Sequence, residues 1–221
     1  LQHMFCGGEA LSTALQERFY SSMNGRLHNL YGPTEYTTYT TGVEVQRGSS
    51  NEPTIGKPIA NTRVYILNEN SALVPVGVVG EICIGGQGLA RCYLSRPEMT
   101  AERFIPDGLG LNDGSRLYRT GDLGRYLENG EIEYLGRMDH QIKLRGYRIE
   151  LGEIELALLR YPGVKEAVVV AKEDHLGESQ LVAYLVNEMG QDDSIDDLRY
   201  YLRQTLPGYM VPQFFVPLAQ M

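Results

Sequence analysis

The sequence predicts an α/β plus α+β protein: an α/β layer, a strand-rich subdomain, and then a small α+β domain of its own. Three observations predict it. Residues 1–35 read strand, helix, strand, loop; residues 55–136 carry short alternating strands separated by glycine turns; and beyond a boundary expected near Arg137 to Gln141 the order becomes strand, helix, strand, strand, helix.

Leu1 to Cys6 is short and partly apolar, runs into Gly7-Gly8, and is expected to end a buried strand. Between Ala10 and Met23, apolar residues at 10, 11, 14, 15 and 19 recur at helical spacing. Arg26 to Leu30 is a second short strand, leading into the loop Tyr31-Gly32-Pro33-Thr34. Strands bounded by turn residues are expected at Val64–Leu67 and Glu81–Ile84, and a short helix at Pro97–Phe104 with its proline in the first turn. From Arg116 to Lys143 short strands alternate with turns at Gly121-Asp122 and Asn129-Gly130, the latter a strong hairpin signal. Gly152 to Arg160 predicts a helix with Leu151, Ile154 and Leu158 on one stripe and Pro162 beyond its end. Val164–Ala171 and Leu181–Val186 read as buried strands, and Ser194 as the cap of a helix carrying Ile195, Leu198, Leu202 and Leu206.

Composition narrows the function classes. At 221 residues with 43% hydrophobic and 22% charged residues, the chain has the make-up of a folded globular protein. Its net charge of −8 argues against a nucleic-acid binder, whose footprint is a basic face. No apolar run approaches the ~20 residues of a membrane-spanning helix and no signal peptide is evident, so no membrane partner is expected. Cys6, Cys83 and Cys92 form neither a disulfide framework nor a CxxC pair, which makes a reducing, cytoplasmic setting the expectation. His3, His28, His140 and His175 show no HExxH pattern.

The segment Asn29-Leu30-Tyr31-Gly32-Pro33-Thr34-Glu35 carries the densest chemistry. Gly32-Pro33 forces a bend that presents Thr34 and Glu35 together, and a hydroxyl beside a carboxylate suits a phosphate oxygen and its Mg²⁺. Tyr31 offers a ring to a base, and Asn29 a donor and an acceptor to a ring edge. Taken by themselves these residues also fit an ordinary loop. In Arg119-Thr120-Gly121-Asp122, one carboxylate on a tight glycine turn suits the two hydroxyls of a ribose; a solvated hairpin aspartate is the alternative. Arg137 supplies a planar fork of donors, though a lone arginine also reads as a surface residue or an ion-pair partner; Tyr134 reads as a core-facing strand aromatic; and Asp139, two residues past Arg137, lies at the expected boundary, where an exposed linker aspartate is the plain reading.

These segments, with Gly80–Gly86, the run from Gly136 to Glu155 and Leu206-Pro207-Gly208-Tyr209-Met210-Val211-Pro212, resemble in order and spacing the adenylation domain of nonribosomal peptide synthetases, a family of the adenylate-forming superfamily. The resemblance covers essentially the whole chain, and the run from Gly136 to Glu155 is its most specific part. It implies residues 1–138 as the C-terminal part of a large adenylation core, with the strand-rich subdomain at about 55–136, and 139–221 as a mobile C-terminal domain incomplete at its end. It implies an ATP-dependent ligase that joins an amino-acid carboxylate to AMP, with Mg²⁺, and then passes it to the phosphopantetheine thiol of a peptidyl carrier protein. A condensation domain and an MbtH-like helper are further partners it allows.

Residue by residue, the resemblance implies that Asp122 grips the ribose, Arg137 contacts ribose and phosphate, and Tyr31 and Tyr134 flank the adenine beside Asn29. Thr34 and Glu35 would serve phosphate and Mg²⁺. Asp139 would be the hinge, and Lys143 and Gly146 would lie on the loop that enters the site for thioester formation. Phe5, Gly7, Leu30, Thr38 and Tyr39 would line the amino-acid pocket, with room at Gly7, an apolar wall at Phe5 and Leu30, and hydroxyls at Thr38 and Tyr39. Phe5 and Leu30 read equally as core. Two family features are absent: the Ser/Thr/Gly-rich loop with its lysine and the closing Asn-Gly-Lys segment. The chain is therefore expected to be cut at both ends and inactive as a free fragment. An acyl- or aryl-CoA ligase and a non-catalytic binding module are the competing readings.

Overall fold

The computed structural model describes residues 1–49, 52–109, 114–139, 141–144, 146–173, 179–187 and 195–221, and the chain divides into two compact units, Leu1–Asp139 and His140–Met221.

In the first unit, β1 (His3–Gly7), helix α1 (Thr13–Ser22), β2 (Arg26–Tyr31), β3 (Thr41–Val45) and β4 (Lys57–Pro58) form a sheet in the order β1-β2-β3-β4, with β1 and β2 parallel. Ser12 caps α1 by accepting from the Leu15 amide at 3.2 Å. The helix buries Gln16 and Phe19, while Ala14 and Leu15, expected on the inner stripe, face out. Gln16 is tolerated inside because its amide donates to the carbonyls of Gln46 and Ser49. β1 is an edge strand and lies largely exposed rather than buried as expected; only Cys6 packs against the cluster of Leu11, Phe19, Leu27 and Val45.

The second sheet joins β5 (Thr62–Leu67), β6 (Gly80–Gly86), β7 (Phe104–Pro106), β8 (Arg116–Tyr126) and β9 (Ile132–Arg137), with helix α2 (Pro97–Arg103) before β7. Its order is β5-β6-β8-β7, with β9 also on β8. Tyr31, Tyr36, Ile55, Val64, Ile66, Ile82, Ile84 and Ile132 make its core. The Asn129-Gly130 hairpin forms as the sequence predicts, with Leu127 and Glu131 bonded across it at 2.8 Å. Gly121-Asp122 is not a turn. β8 runs straight through it as a bulge, with Gly121 at φ +74° and register shifts against β6 and β9.

The second unit contains the hairpin β10 (Gln141–Leu144) and β11 (Tyr147–Glu150), helix α3 (Leu151–Leu159), strands β12 (Val164–Glu173) and β13 (Ser179–Asn187), helix α4 (Ile195–Thr205) and β14 (Phe214–Pro217). Leu151, Ile154, Leu158, Leu198, Leu202 and Leu206 are buried in one core, while Ile195 is exposed. The cap expected at Ser194 lies outside the described residues. β12 is an edge strand that buries little more than Val169, against the expectation of a buried strand; β13 is the buried one. β14, parallel to β13, was not predicted. Among the described residues no helix is long and apolar enough to cross a membrane.

Candidate functional site

The bulge in β8 places Asp122 against the end of β2 and the end of β9. Asp122 is 4% exposed, and both of its oxygens are engaged. Tyr31 donates its hydroxyl to Oδ2 at 2.5 Å, and Arg137 donates Nη1 to Oδ1 at 2.8 Å. The same guanidinium clamps Asp139 through Nε at 2.6 Å and Nη2 at 2.7 Å, and Arg103 stands 3.8 Å from Asp139. Gly121 is needed here: its φ is left-handed, and a Cβ would lie 2.9 Å from Arg137 Nη2 and 3.1 Å from Asp139 Oδ2. The backbone thus approaches the charged groups as closely as it can.

The electrostatics follow from burial. Desolvation works to lower the Arg137 pKa, but its bonds to Asp139 and the charge of Asp122 outweigh it, so the cation is held above its ordinary value. Burial, and then the Asp122 charge, keep the Tyr31 phenol well above its ordinary value; the same two causes push Tyr134 up to about 12. Both phenols stay neutral donors at physiological pH.

Tyr31 keeps only 7% of its surface for a ligand, and its hydroxyl bond to Asp122 is a role the sequence did not reveal. Tyr134, half-buried with its ring 6.1 Å from that of Tyr31, is the more accessible aromatic. Asn29 is buried and spends a donor on the Thr54 carbonyl at 2.7 Å.

Beyond the Gly32-Pro33 bend, Thr34–Tyr36 forms a 3-10 turn. A Cβ on Gly32 would meet the Thr38 carbonyl at 2.4 Å, so the loop folds back on itself only with glycine there. Thr34 is exposed, whereas Glu35 is buried and accepts from the Tyr93 hydroxyl at 2.6 Å. Tyr93 in turn lies 3.3 Å from the Tyr118 hydroxyl. Tyr93 and Arg103 carry no sign in the sequence of these contacts; no spacing rule joins Glu35 to a loop tyrosine 58 positions on. Among the described residues there is no cluster of three metal-ligating side chains. The hard oxygens of Glu35 and Thr34 fit a Mg²⁺ held mostly by phosphates, which takes one or two carboxylates from a protein.

Of the pocket residues the sequence proposes, Phe5, Gly7 and Leu30 share one face of the first sheet. The register sets Phe5 beside His28 and Gly7 beside Leu30. Phe5 is exposed, stacked on His28 with centroids 4.7 Å apart, and Leu30 is half-buried over Gly42, so neither is a core residue. A Cβ on Gly7 would sit 2.6 Å from the Leu30 carbonyl, so strand packing by itself requires glycine there. Thr38 (φ +130°) and Tyr39 are exposed on the loop that returns to Gly32. In the second unit, Lys143 pairs in register with Arg148 across the β10–β11 hairpin, and Gly146 sits in its turn at φ +78°. His140 and Arg145 of the same run lie outside the described residues.

The profile of the AMP-binding enzymes matches residues 1–94, and that of the AMP-binding enzyme C-terminal domain matches residues 153–221. Tyrocidine synthase 3 from Brevibacillus parabrevis is 52% identical over 224 residues, covering 100% of this chain and 3% of that protein. Among solved structures, PA1221, an NRPS protein containing adenylation and PCP domains, superposes with a TM-score of 0.83 at 33% identity, over 100% of this chain and 44% of that one. The Vibrio cholerae adenylation domain AlmE, in complex with glycyl-adenosine-5'-phosphate, gives a TM-score of 0.89 at 28% identity, over 100% of this chain and 42% of that one. The chain thus spans under half of these solved chains and a few per cent of the curated relative it matches.

Proposed function

The chain belongs to the AMP-binding enzymes, and we propose that it is part of a nonribosomal peptide synthetase adenylation domain that activates an amino acid and delivers it to a peptidyl carrier protein. The observation that carries this reading is the Asp122 cluster: Tyr31 and Arg137, 91 and 15 positions away in sequence, both bind one buried carboxylate, and Arg137 also holds Asp139.

The reaction has two steps. An amino-acid carboxylate oxygen attacks the α-phosphorus of ATP; a C–O–P linkage forms, the α–β phosphoanhydride breaks, and pyrophosphate leaves. A carrier thiol, losing its proton, then attacks the acyl carbon; a thioester forms and AMP leaves. The protein's part is positioning and charge stabilisation. Asp122, already oriented by Tyr31 and Arg137, accepts from the ribose hydroxyls, and Arg137 directs its fork toward ribose and phosphate. Tyr134 and the exposed strip of Tyr31 flank the base, with Asn29 at its edge. Thr34 donates to phosphate oxygen. Glu35 and Thr34 would hold Mg²⁺, which when bound neutralises phosphate charge. Phe5, Gly7, Leu30, Thr38 and Tyr39 shape the amino-acid pocket. Asp139 is the hinge, and its clamp by Arg137 must loosen when the hinge turns. Lys143 and Gly146 serve the loop used with the phosphopantetheine arm. A condensation domain and an MbtH-like protein are further proposed partners, and the cytoplasm the proposed setting, with Cys6, Cys83 and Cys92 as free thiols.

The test is ATP–pyrophosphate exchange across a panel of amino, aryl and fatty acids, made with the intact protein that carries this segment. Exchange with one or a few amino acids supports the reading. Exchange with aryl or fatty acids alone, followed by acyl transfer to CoA, overturns it.

A further inference from the structure

The tip of the β10–β11 hairpin is fastened by a ring stack that the proposed reaction does not yet use. Tyr147, the first residue of β11, lies face to face with Tyr209, with centroids 4.0 Å apart and planes 9° from parallel. Tyr209 sits in the 3-10 turn Gly208–Met210, between the buried Leu206 on one side and the buried Met210 and Val211 on the other. It is therefore mounted on the core of the second unit. Tyr147 is mounted on the hairpin, directly after the Gly146 turn.

The hairpin needs such a fastening. It is a two-stranded sheet of its own, and a lone hairpin is marginal in water. In the antiparallel register Ile142 faces Ile149 and Leu144 faces Tyr147, so these four share one face. Ile149 and Leu144 are buried in the core, whereas Tyr147 is 49% exposed and Tyr209 40% exposed. The core holds the hairpin out to Leu144 but leaves Leu144's partner at the tip, Tyr147, half exposed. The stack covers that ring and fastens its side of the tip, and Lys143 and Gly146 lie next to it. On the opposite face Lys143 and Arg148 stand in register, with Glu150 4.0 Å from Arg148.

We propose that Tyr209 is a positioning residue for the acyl-transfer half-reaction: by stacking on Tyr147 it holds the tip of the β10–β11 hairpin, and with it Lys143 and Gly146, in the form that receives the carrier's phosphopantetheine arm. This rests on the function proposed above. Neither ring touches the reacting atoms in this assignment, and adenylate formation is not routed through the hairpin.

The experiment uses the intact protein and separates the half-reactions. Amino-acid-dependent ATP–pyrophosphate exchange reads the first, and transfer of a labelled amino acid onto a phosphopantetheinylated carrier reads the second. For Tyr209→Ala, exchange stays within about twofold of wild type and transfer falls about tenfold, the scale that one aromatic stack supports. Tyr209→Phe, which keeps the ring, restores transfer, and Tyr147→Ala reproduces the loss. Amide exchange of Leu144 and Tyr147 provides a readout independent of activity: it speeds up in Tyr209→Ala and returns to the wild-type rate in Tyr209→Phe. Transfer unchanged in both alanine variants overturns the proposal. So does an equal fall in exchange and transfer with loss of protection throughout β12 and β13, which would make the rings ordinary core packing. Failure of the wild-type protein to exchange with any amino acid is a different outcome, which removes the proposed function itself.

Discussion

Asp122→Ala is the substitution whose cost the structure specifies most fully. It removes the acceptor of the Tyr31 hydroxyl at 2.5 Å and one of the partners of Arg137 at 2.8 Å, at a site where the Asp122 side chain is 6% exposed and that of Arg137 11%. Breaking a buried ion pair from one side costs about 3–5 kcal/mol. Arg137 still holds Asp139 with two bonds, so the low end, about 3 kcal/mol, is expected. With a urea m-value of about 2 kcal/mol/M, the unfolding midpoint falls by roughly 1.5 M. Tyr31→Phe removes only a hydrogen bond to a charged acceptor and costs about 1.5 kcal/mol. In the Asp122→Ala background that hydroxyl has already lost its acceptor, so adding Tyr31→Phe costs almost nothing. The assay is a double-mutant cycle on the 221-residue chain, with unfolding in urea followed by circular dichroism and by amide exchange in β8. A coupling near the cost of Tyr31→Phe alone is the expected result. If Tyr31→Phe costs the same in both backgrounds, within about 0.3–0.5 kcal/mol, the two groups do not act together and the reasoning fails.

Three further outcomes follow from the same geometry. Tyr93→Phe removes the donor to Glu35 at 2.6 Å and is expected to raise the Mg²⁺ concentration needed for half-maximal exchange about tenfold while leaving the amino-acid preference alone; a metal titration checks it, and an unchanged curve would speak against Glu35 as metal contact. Gly121→Ala places a Cβ 2.9 Å from Arg137 in a left-handed backbone, so it should destabilise the chain by about 2 kcal/mol and weaken nucleotide binding together; calorimetry that finds either intact contradicts the cradle. The buried phenols raise a pH effect with a definite sign. Tyr134 titrates near 12 when folded against 10.0 when free, and Tyr31 is shifted the same way, so the folded state binds the phenolic protons more tightly than the unfolded state. Their contribution to stability is fully present below about pH 10 and is lost as pH rises toward 12, so the urea midpoint should fall across that window and flatten in Tyr134→Phe.

Local pattern was enough for much of the fold. The helical stripe of Leu151, Ile154 and Leu158, the Asn-Gly hairpin and the strand–helix–strand opening are written in neighbouring residues, and each forms as the sequence predicts. Departures arise where the deciding partner lies far along the chain. Gly121-Asp122 carries the signature of a turn, yet pairing with β6 and β9 keeps β8 continuous and turns the same glycine into a bulge. Gln16 took a core position because the carbonyls of Gln46 and Ser49 receive its amide. β1 and β12 are apolar enough for a sheet interior but occupy edges, which sequence alone does not reveal. The candidate site divides the same way. Tyr31 and Asp122, each singled out by its own motif, are joined by a hydrogen bond that neither motif announces. Tyr93, which orients Glu35 from 58 positions away, and Arg103, which adds a second cation beside Asp139, carry no local sign of either role.

The central claim is that the nucleotide is held at the Asp122–Arg137 cluster. Its most direct test is the affinity of the intact protein for a non-hydrolysable aminoacyl-adenylate analogue, measured calorimetrically for wild type and for Arg137→Ala. Loss of a charge-assisted contact worth about 2–3 kcal/mol predicts binding weaker by roughly 30- to 150-fold. Equal affinity for the two proteins, with the variant folded as judged by amide exchange in β8, would contradict the account.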